Sequence, residues 1–171
     1  MCRNAVPIIA RHGFTMIELL VVMAILAIAA AIAVPMISNA GSMQLRSAVT
    51  MVAADLEYAK SMSISRGQKY AVVFDKANET YQITDESETT IPHPVKKGSF
   101  YIIDFRADSR LAQVDIVDVS FDGASAVSFD YLGSPYSGAA RLNSGAIMLR
   151  AGGVTRTVTV EAVTGYISVS N

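Results

Sequence analysis

The sequence predicts an α+β protein in which one long N-terminal helix packs, by its lower half, on an antiparallel β-sheet domain. Three observations carry that prediction. An uninterrupted apolar run opens the chain from Phe14 to Val34, an apolar stripe at helical spacing continues it to Ala59, and from Tyr70 onward short alternating segments are separated by turn residues.

The run from Phe14 to Val34 is 21 residues long and its only formal charge is Glu18. At about 1.5 Å per residue it spans roughly 30 Å, the thickness of a bilayer core. Arg3 and Arg11 precede it with no acid to offset them. The positive-inside tendency therefore predicts a single pass with the N-terminus cytoplasmic and the C-terminal bulk beyond the membrane. A secretory signal peptide is the competing reading, since it too has a basic start, and Ala29 to Ala31 offer small residues for cleavage. Its apolar region is typically about 7 to 15 residues, shorter than this run, and has no use for a carboxylate near its start.

The helix is expected to continue past Pro35, where a missing backbone donor predicts a kink. Leu45, Val49, Val52, Leu56 and Ala59 follow at alternating steps of four and three and draw one apolar stripe. Arg46, Asp55, Glu57 and Lys60 fall largely off it, so the lower half is amphipathic. Gly41 and Ser42 mark a place for softening or a local bend. Arg66 and Gly67 supply a basic last turn and a glycine cap. An unbroken helix from Phe14 to Arg66 is about 80 Å long.

Beyond Gly67 the pattern changes to strands. Residues 70–74 (YAVVF) and 80–84 (TYQIT) flank a polar five-residue turn and predict a hairpin. Residues 85–99 form an acidic then basic loop broken by Pro92 and Pro94, of a length that is often functional when it lacks structure of its own. Further strands are expected at 100–105, 114–121, 127–131, 146–150, 155–160 and 166–169, the last two joined by a short link ending at Gly165.

The residues Gly13-Phe14-Thr15-Met16-Ile17-Glu18, followed by LLVVMAILAI, resemble the class III signal of type IV pilins and type II secretion pseudopilins. The resemblance implies that a membrane-embedded prepilin peptidase cuts between Gly13 and Phe14 and methylates the new N-terminus on Phe14. It also implies that Glu18, the acid that recurs past the cut, serves filament assembly and that Pro35 matches the recurring proline of the helix. The leader departs from the pattern in having His12 before the glycine and an apolar stretch from Val6 to Ala10. Downstream, 56–67, Phe129-Asp130-Tyr131-Leu132-Gly133 and 158–167 are similar to the GspH/FimT group of minor pseudopilins.

The resemblance divides the chain into a cleaved leader at 1–13, a transmembrane and filament-core helix at 14–40, its amphipathic continuation at 41–67 and a periplasmic β-rich domain at 68–171. Physical chemistry gives Glu18 a compatible role. A carboxylate inside an apolar span is costly and usually faces a partner, and cutting after Gly13 creates an amine on Phe14, one turn away. That amine can pair with Glu18 of the same helix or of a neighbour; alternatively, Glu18 only complements the helix dipole, worth about 0.3 to 1 kcal/mol.

Composition narrows the function. Loss of the leader removes Arg3 and Arg11 and leaves 12 basic against 15 acidic residues, a net charge of −3. Binding of nucleic acid through phosphates needs clustered Lys or Arg, and here Lys96-Lys97 is only a pair while Arg141, Arg150 and Arg156 are scattered. The single cysteine, Cys2, lies in the leader, so no internal disulfide and no cysteine-based metal site is expected in the mature domain. His12 goes with the leader, and His93, between two prolines, is expected to be exposed and idle. Asp85, Glu86 and Glu88 lack the spacing of a calcium loop and are expected to be solvated, and Asp115, Asp118 and Asp122 to flank strands. No nucleophile elbow or phosphate loop is present.

The expectation is a non-enzymatic structural subunit without a cofactor, a minor pseudopilin of the type II secretion pseudopilus. Its implied partners are the prepilin peptidase, other major and minor pseudopilins and an inner-membrane assembly platform, with the domain in the periplasm. The alternative is a minor type IV pilin that primes pilus assembly or assists DNA uptake.

Overall fold

The computed structural model describes residues 15–170, and of residues 32–40 the backbone only. It divides into two compact units, Met1–Ile37 and Ser38–Asn171. Helix α1, Met16–Arg66, supplies the described part of the first unit and opens the second.

In the second unit the predicted stripe is the helix's core face. Leu45, Val49, Val52, Leu56 and Ala59 are each no more than 1% exposed. Spacing at three and four keeps them on one side of the cylinder, so a single apolar seam meets the sheets. The helix ends as expected at Arg66, with Gly67 at φ 64°, the left-handed conformation that a glycine cap adopts without a Cβ penalty.

Ten strands form two antiparallel sheets. One holds β1 (Tyr70–Asp75), β2 (Thr80–Thr84), β3 (Ile102–Asp104), β5 (Ala126–Phe129), β6 (Pro135–Ser137) and β7 (Ala140–Arg141) in the order β3-β2-β1-β5-β6-β7. The other holds β4 (Asp115–Phe121), β8 (Gly145–Ala151), β9 (Val154–Val160) and β10 (Ile167–Ser170) in the order β10-β9-β8-β4. Burial alternates along β1 and β8, as it must where one face meets the core and the other meets solvent.

The sheets join through aromatic rings. Phe74 of β1 lies 6.0 Å from Phe121 of β4 and 5.3 Å from Tyr81, which stands edge-on to Phe105 at 5.9 Å. All four rings are buried. With no cysteine in the domain, this packing and the helix seam do the work that a disulfide does in other small domains.

Three expectations change. Asp55, placed off the apolar stripe, is buried at 8% exposure because two tyrosine hydroxyls meet its carboxylate. The 85–99 loop has structure of its own. Thr84 bridges Thr90 and Pro92 bridges Phe100, while the Ile91 N–H donates to the Ile83 carbonyl at 3.0 Å and the Tyr101 N–H to the Ile91 carbonyl at 2.8 Å. Gly41 has a packing role: a Cβ there would stand 3.2 Å from the Gly152 nitrogen, so its missing side chain lets the β8–β9 turn approach the helix. Gln44 holds the neighbouring turn by accepting the Gln113 N–H at 3.0 Å.

Candidate functional site

The candidate site is the start of α1. Thr15 precedes the helix and its Oγ1 accepts the Glu18 N–H at 3.3 Å, while its carbonyl accepts the Leu19 N–H at 3.2 Å. Thr15 is thus the N-cap and Glu18 occupies the third helical position, the spacing of a capping box. The sequence T-M-I-E carried that signal, and the earlier reading of Glu18 used only its charge.

From Met16 to Ala31 every residue is exposed. Ten large apolar side chains between Met16 and Ile28 are 44–86% exposed, on all sides of the helix. Glu18 is exposed among them and its carboxylate has no hydrogen bond or ion pair with the described residues. A helix that is apolar all round is one that something else covers. Chemically it offers a continuous apolar cylinder with one anionic group in its first turn, suited to meeting a cation within an apolar contact.

Gly13 and Phe14, the expected cleavage and methylation positions, lie outside the described residues. Pro35 lies within α1, and its side chain is outside them too. Among the described residues no helix is long and apolar enough to cross a membrane; both ends of the expected span, Phe14 and the side chains beyond Ala31, fall outside that description.

The domain has one polar centre that spacing did not reveal. Tyr81 Oη donates to Asp55 Oδ2 at 2.6 Å and Tyr101 Oη to Asp55 Oδ1 at 2.8 Å. Burial raises the Asp55 carboxyl above its ordinary value, and the two phenol donors and the nearby His93 oppose the rise. Burial and the adjoining carboxylate together raise both tyrosines, most strongly Tyr81. The arrangement ties α1 to β2 and to the segment before β3. No nucleophile or open position accompanies it, so its chemistry is structural.

His93 is a correction. It is half-buried, stacked on Tyr101 with ring centroids 4.7 Å apart, and its Nδ1 accepts the N–H groups of Val95 and Lys96 at 3.1 Å each. The imidazole holds the Pro-rich loop and is not idle. Asp85 acts likewise, its Oδ1 accepting from Ser87 and Thr89, and Asp122 accepts from Asn143 and Ser144. Asp115 and Asp118 are exposed positions of β4.

Comparison with known proteins agrees with this picture. Residues 9–34 match the prokaryotic N-terminal methylation motif. The fold is similar to that of the minor pseudopilin EpsH from the type 2 secretion system of Vibrio cholerae, with 10% identity, a TM-score of 0.55 and coverage of 74% of this chain and 96% of that one. It is also similar to the type IV minor pilin FimU of Pseudomonas aeruginosa, with 19% identity, a TM-score of 0.51 and coverage of 74% and 88%. No curated protein matches the chain. The motif and the shared fold support a type IV pilin-like family for this α+β chain.

Proposed function

We propose that the chain is a minor pseudopilin, a non-enzymatic subunit that is cut by a prepilin peptidase between Gly13 and Phe14, methylated on Phe14 and drawn from the inner membrane into a periplasmic filament that serves export of folded proteins. The observation that carries this is the bare apolar helix with its single acid, directly behind a matched methylation motif. Burying a large apolar side chain is worth about 1.5–3 kcal/mol, so ten uncovered ones represent a large drive toward lipid or toward other helices. Glu18 then selects between the two surroundings. In lipid its carboxylate is costly; beside the amine of a neighbouring subunit's cut N-terminus, both charges are neutralised in one contact.

Other pseudopilins, major and minor, and an inner-membrane assembly platform are the partners of this reading. A chain whose mature form begins at N-methylated Phe14 is the expected result of mass spectrometry on protein made beside its own peptidase. A mature chain beginning elsewhere refutes the processing step. Glu18→Ala is expected to leave cleavage and insertion intact and to block incorporation into filaments; normal incorporation refutes the assembly role.

A second reading, a minor type IV pilin that primes pilus assembly, is favoured by the higher identity to FimU. Deletion separates the two: loss of protein export with normal surface pili supports the first, and loss of pili with normal export supports the second.

A further inference from the structure

The two edges of the four-stranded sheet are built differently. At one edge β4 carries a bulge between Ile116 and Asp118 and exposes Asp115 and Asp118. Bulges and charges are the devices by which sheet edges avoid pairing with other chains. At the other edge β10, with the sequence Ile-Ser-Val-Ser, has no charge, no proline and no bulge in its register with β9.

Ladder alternation decides which backbone groups that edge presents. The Tyr166 carbonyl accepts the Glu161 N–H at 2.8 Å and so faces β9. In an antiparallel ladder successive residues alternate between facing the partner and facing away. Ser168 and Ser170 therefore face β9, and Ile167 and Val169 turn their N–H and C=O groups outward. Their side chains share a face: Ile167 packs against the core, while Val169 is 45% exposed. The turn before β10 adds apolar surface. Val163 there is 65% exposed at φ 67°, a strained conformation for a β-branched residue.

We propose that β10 of one copy pairs antiparallel with β10 of a second copy about a two-fold axis through Ser168, merging two four-stranded sheets into one of eight. In that register Ile167 of each copy lies opposite Val169 of the other on the core face. Because these are the residues whose backbone groups point outward, they exchange four hydrogen bonds across the axis. A one-residue slip sets Ser168 against Val169, turns the second core face to the wrong side and loses those bonds. The apolar-polar alternation of β10 is thus its own complement, and a second copy is the occupant that the edge fits.

Cys2 is the only cysteine, so a Cys2→Ser background lets one introduced thiol report the pairing. Ser168 meets its symmetry mate as a non-hydrogen-bonded pair with Cα atoms about 4.5 Å apart, inside the roughly 4.4–6.8 Å that a disulfide spans. The full chain in detergent micelles, under mild oxidation, is expected to form a covalent dimer through Ser168→Cys at least about tenfold faster than through Ser170→Cys or Asp118→Cys. Val169→Pro removes an N–H that faces away from β9, and Val169→Lys adds a charge at the edge without touching the backbone. Either is expected to bring the Ser168→Cys rate down to that of Asp118→Cys. Equal rates at the three positions, a dimer insensitive to Val169→Lys, or a Ser168→Cys thiol that links only to other proteins or stays reduced overturns the proposal.

Discussion

The two ends of α1 are both rich in apolar residues and opposite in what they touch. From Leu45 to Ala59 the stripe residues are at most 1% exposed, whereas the large side chains from Met16 to Ile28 are 44–86% exposed. The lower half spends its apolar surface on its own fold. The upper half keeps its surface available, so its sequence is constrained by surroundings that the chain does not itself provide. Similar composition thus serves stability in one place and association in the other, and the difference lies in whether polar positions interrupt the apolar ones to leave a single face.

The largest test of this division is a matched pair of truncations. Leu56→Ala is expected to lower the stability of the domain by about 2–5 kcal/mol, the range for emptying a packed core site. Leu20→Ala, equally drastic on paper, is expected to change it by no more than about 0.5 kcal/mol. Chemical denaturation followed by circular dichroism measures both, and similar losses would erase the distinction between the halves.

Asp55 sharpens the comparison from the polar side, because it is the acid that the lower half buries while Glu18 is the acid that the upper half exposes. Asp55→Ala leaves two buried phenol groups without their acceptor and is expected to cost about 2–4 kcal/mol. Its pH dependence has a definite sign. The folded carboxyl is raised above 3.8, so it binds its proton more tightly in the folded state. That contribution is full below 3.8 and is lost as pH rises through the raised value. In thermal melts across the range above 3.8, the wild type is therefore expected to lose ground to Asp55→Asn with increasing pH, and a constant difference would refute the assignment. The smallest effect is expected at Gly41→Ala, where a Cβ 3.2 Å from the Gly152 nitrogen forces a small backbone shift worth about 1–2 kcal/mol.

Much of this architecture was legible. Spacing at three and four found the core face of α1, and alternation with turn residues found the β1–β2 hairpin and the β8-β9-β10 meander to within a residue or two. The short strands β6 and β7 escaped, since a three-residue strand opening on Pro135 and a two-residue strand have no period to detect. Asp55 escaped for a different reason. It stands seven residues after Ala48 and four before Ala59, so position alone put it on the buried face, and only its charge argued otherwise. The partners that make its burial tolerable, Tyr81 and Tyr101, come from distant segments that no local pattern links to it. His93 is similar, because its ring stacking and its loop contacts exist only once the loop has closed. The assembly segment is the converse case. Its capping box and lone acid are local, and they were visible in the six residues from Gly13 to Glu18.

The strand order has a consequence for how the domain comes to be folded. β1 completes its pairing with β5, Tyr70 opposite Phe129, while β4, which precedes β5 in the chain, goes to the other sheet beside β8. The hairpin and the meander can form locally, but each sheet is closed only by a strand that the chain delivers after beginning the other. Such interleaving favours one slow, cooperative step over two independent ones, because the long-range pairings cost loop-closure entropy before they return contacts. A nascent chain halted between β4 and β5 would carry β1 and β4 as two open edges, its most aggregation-prone moment.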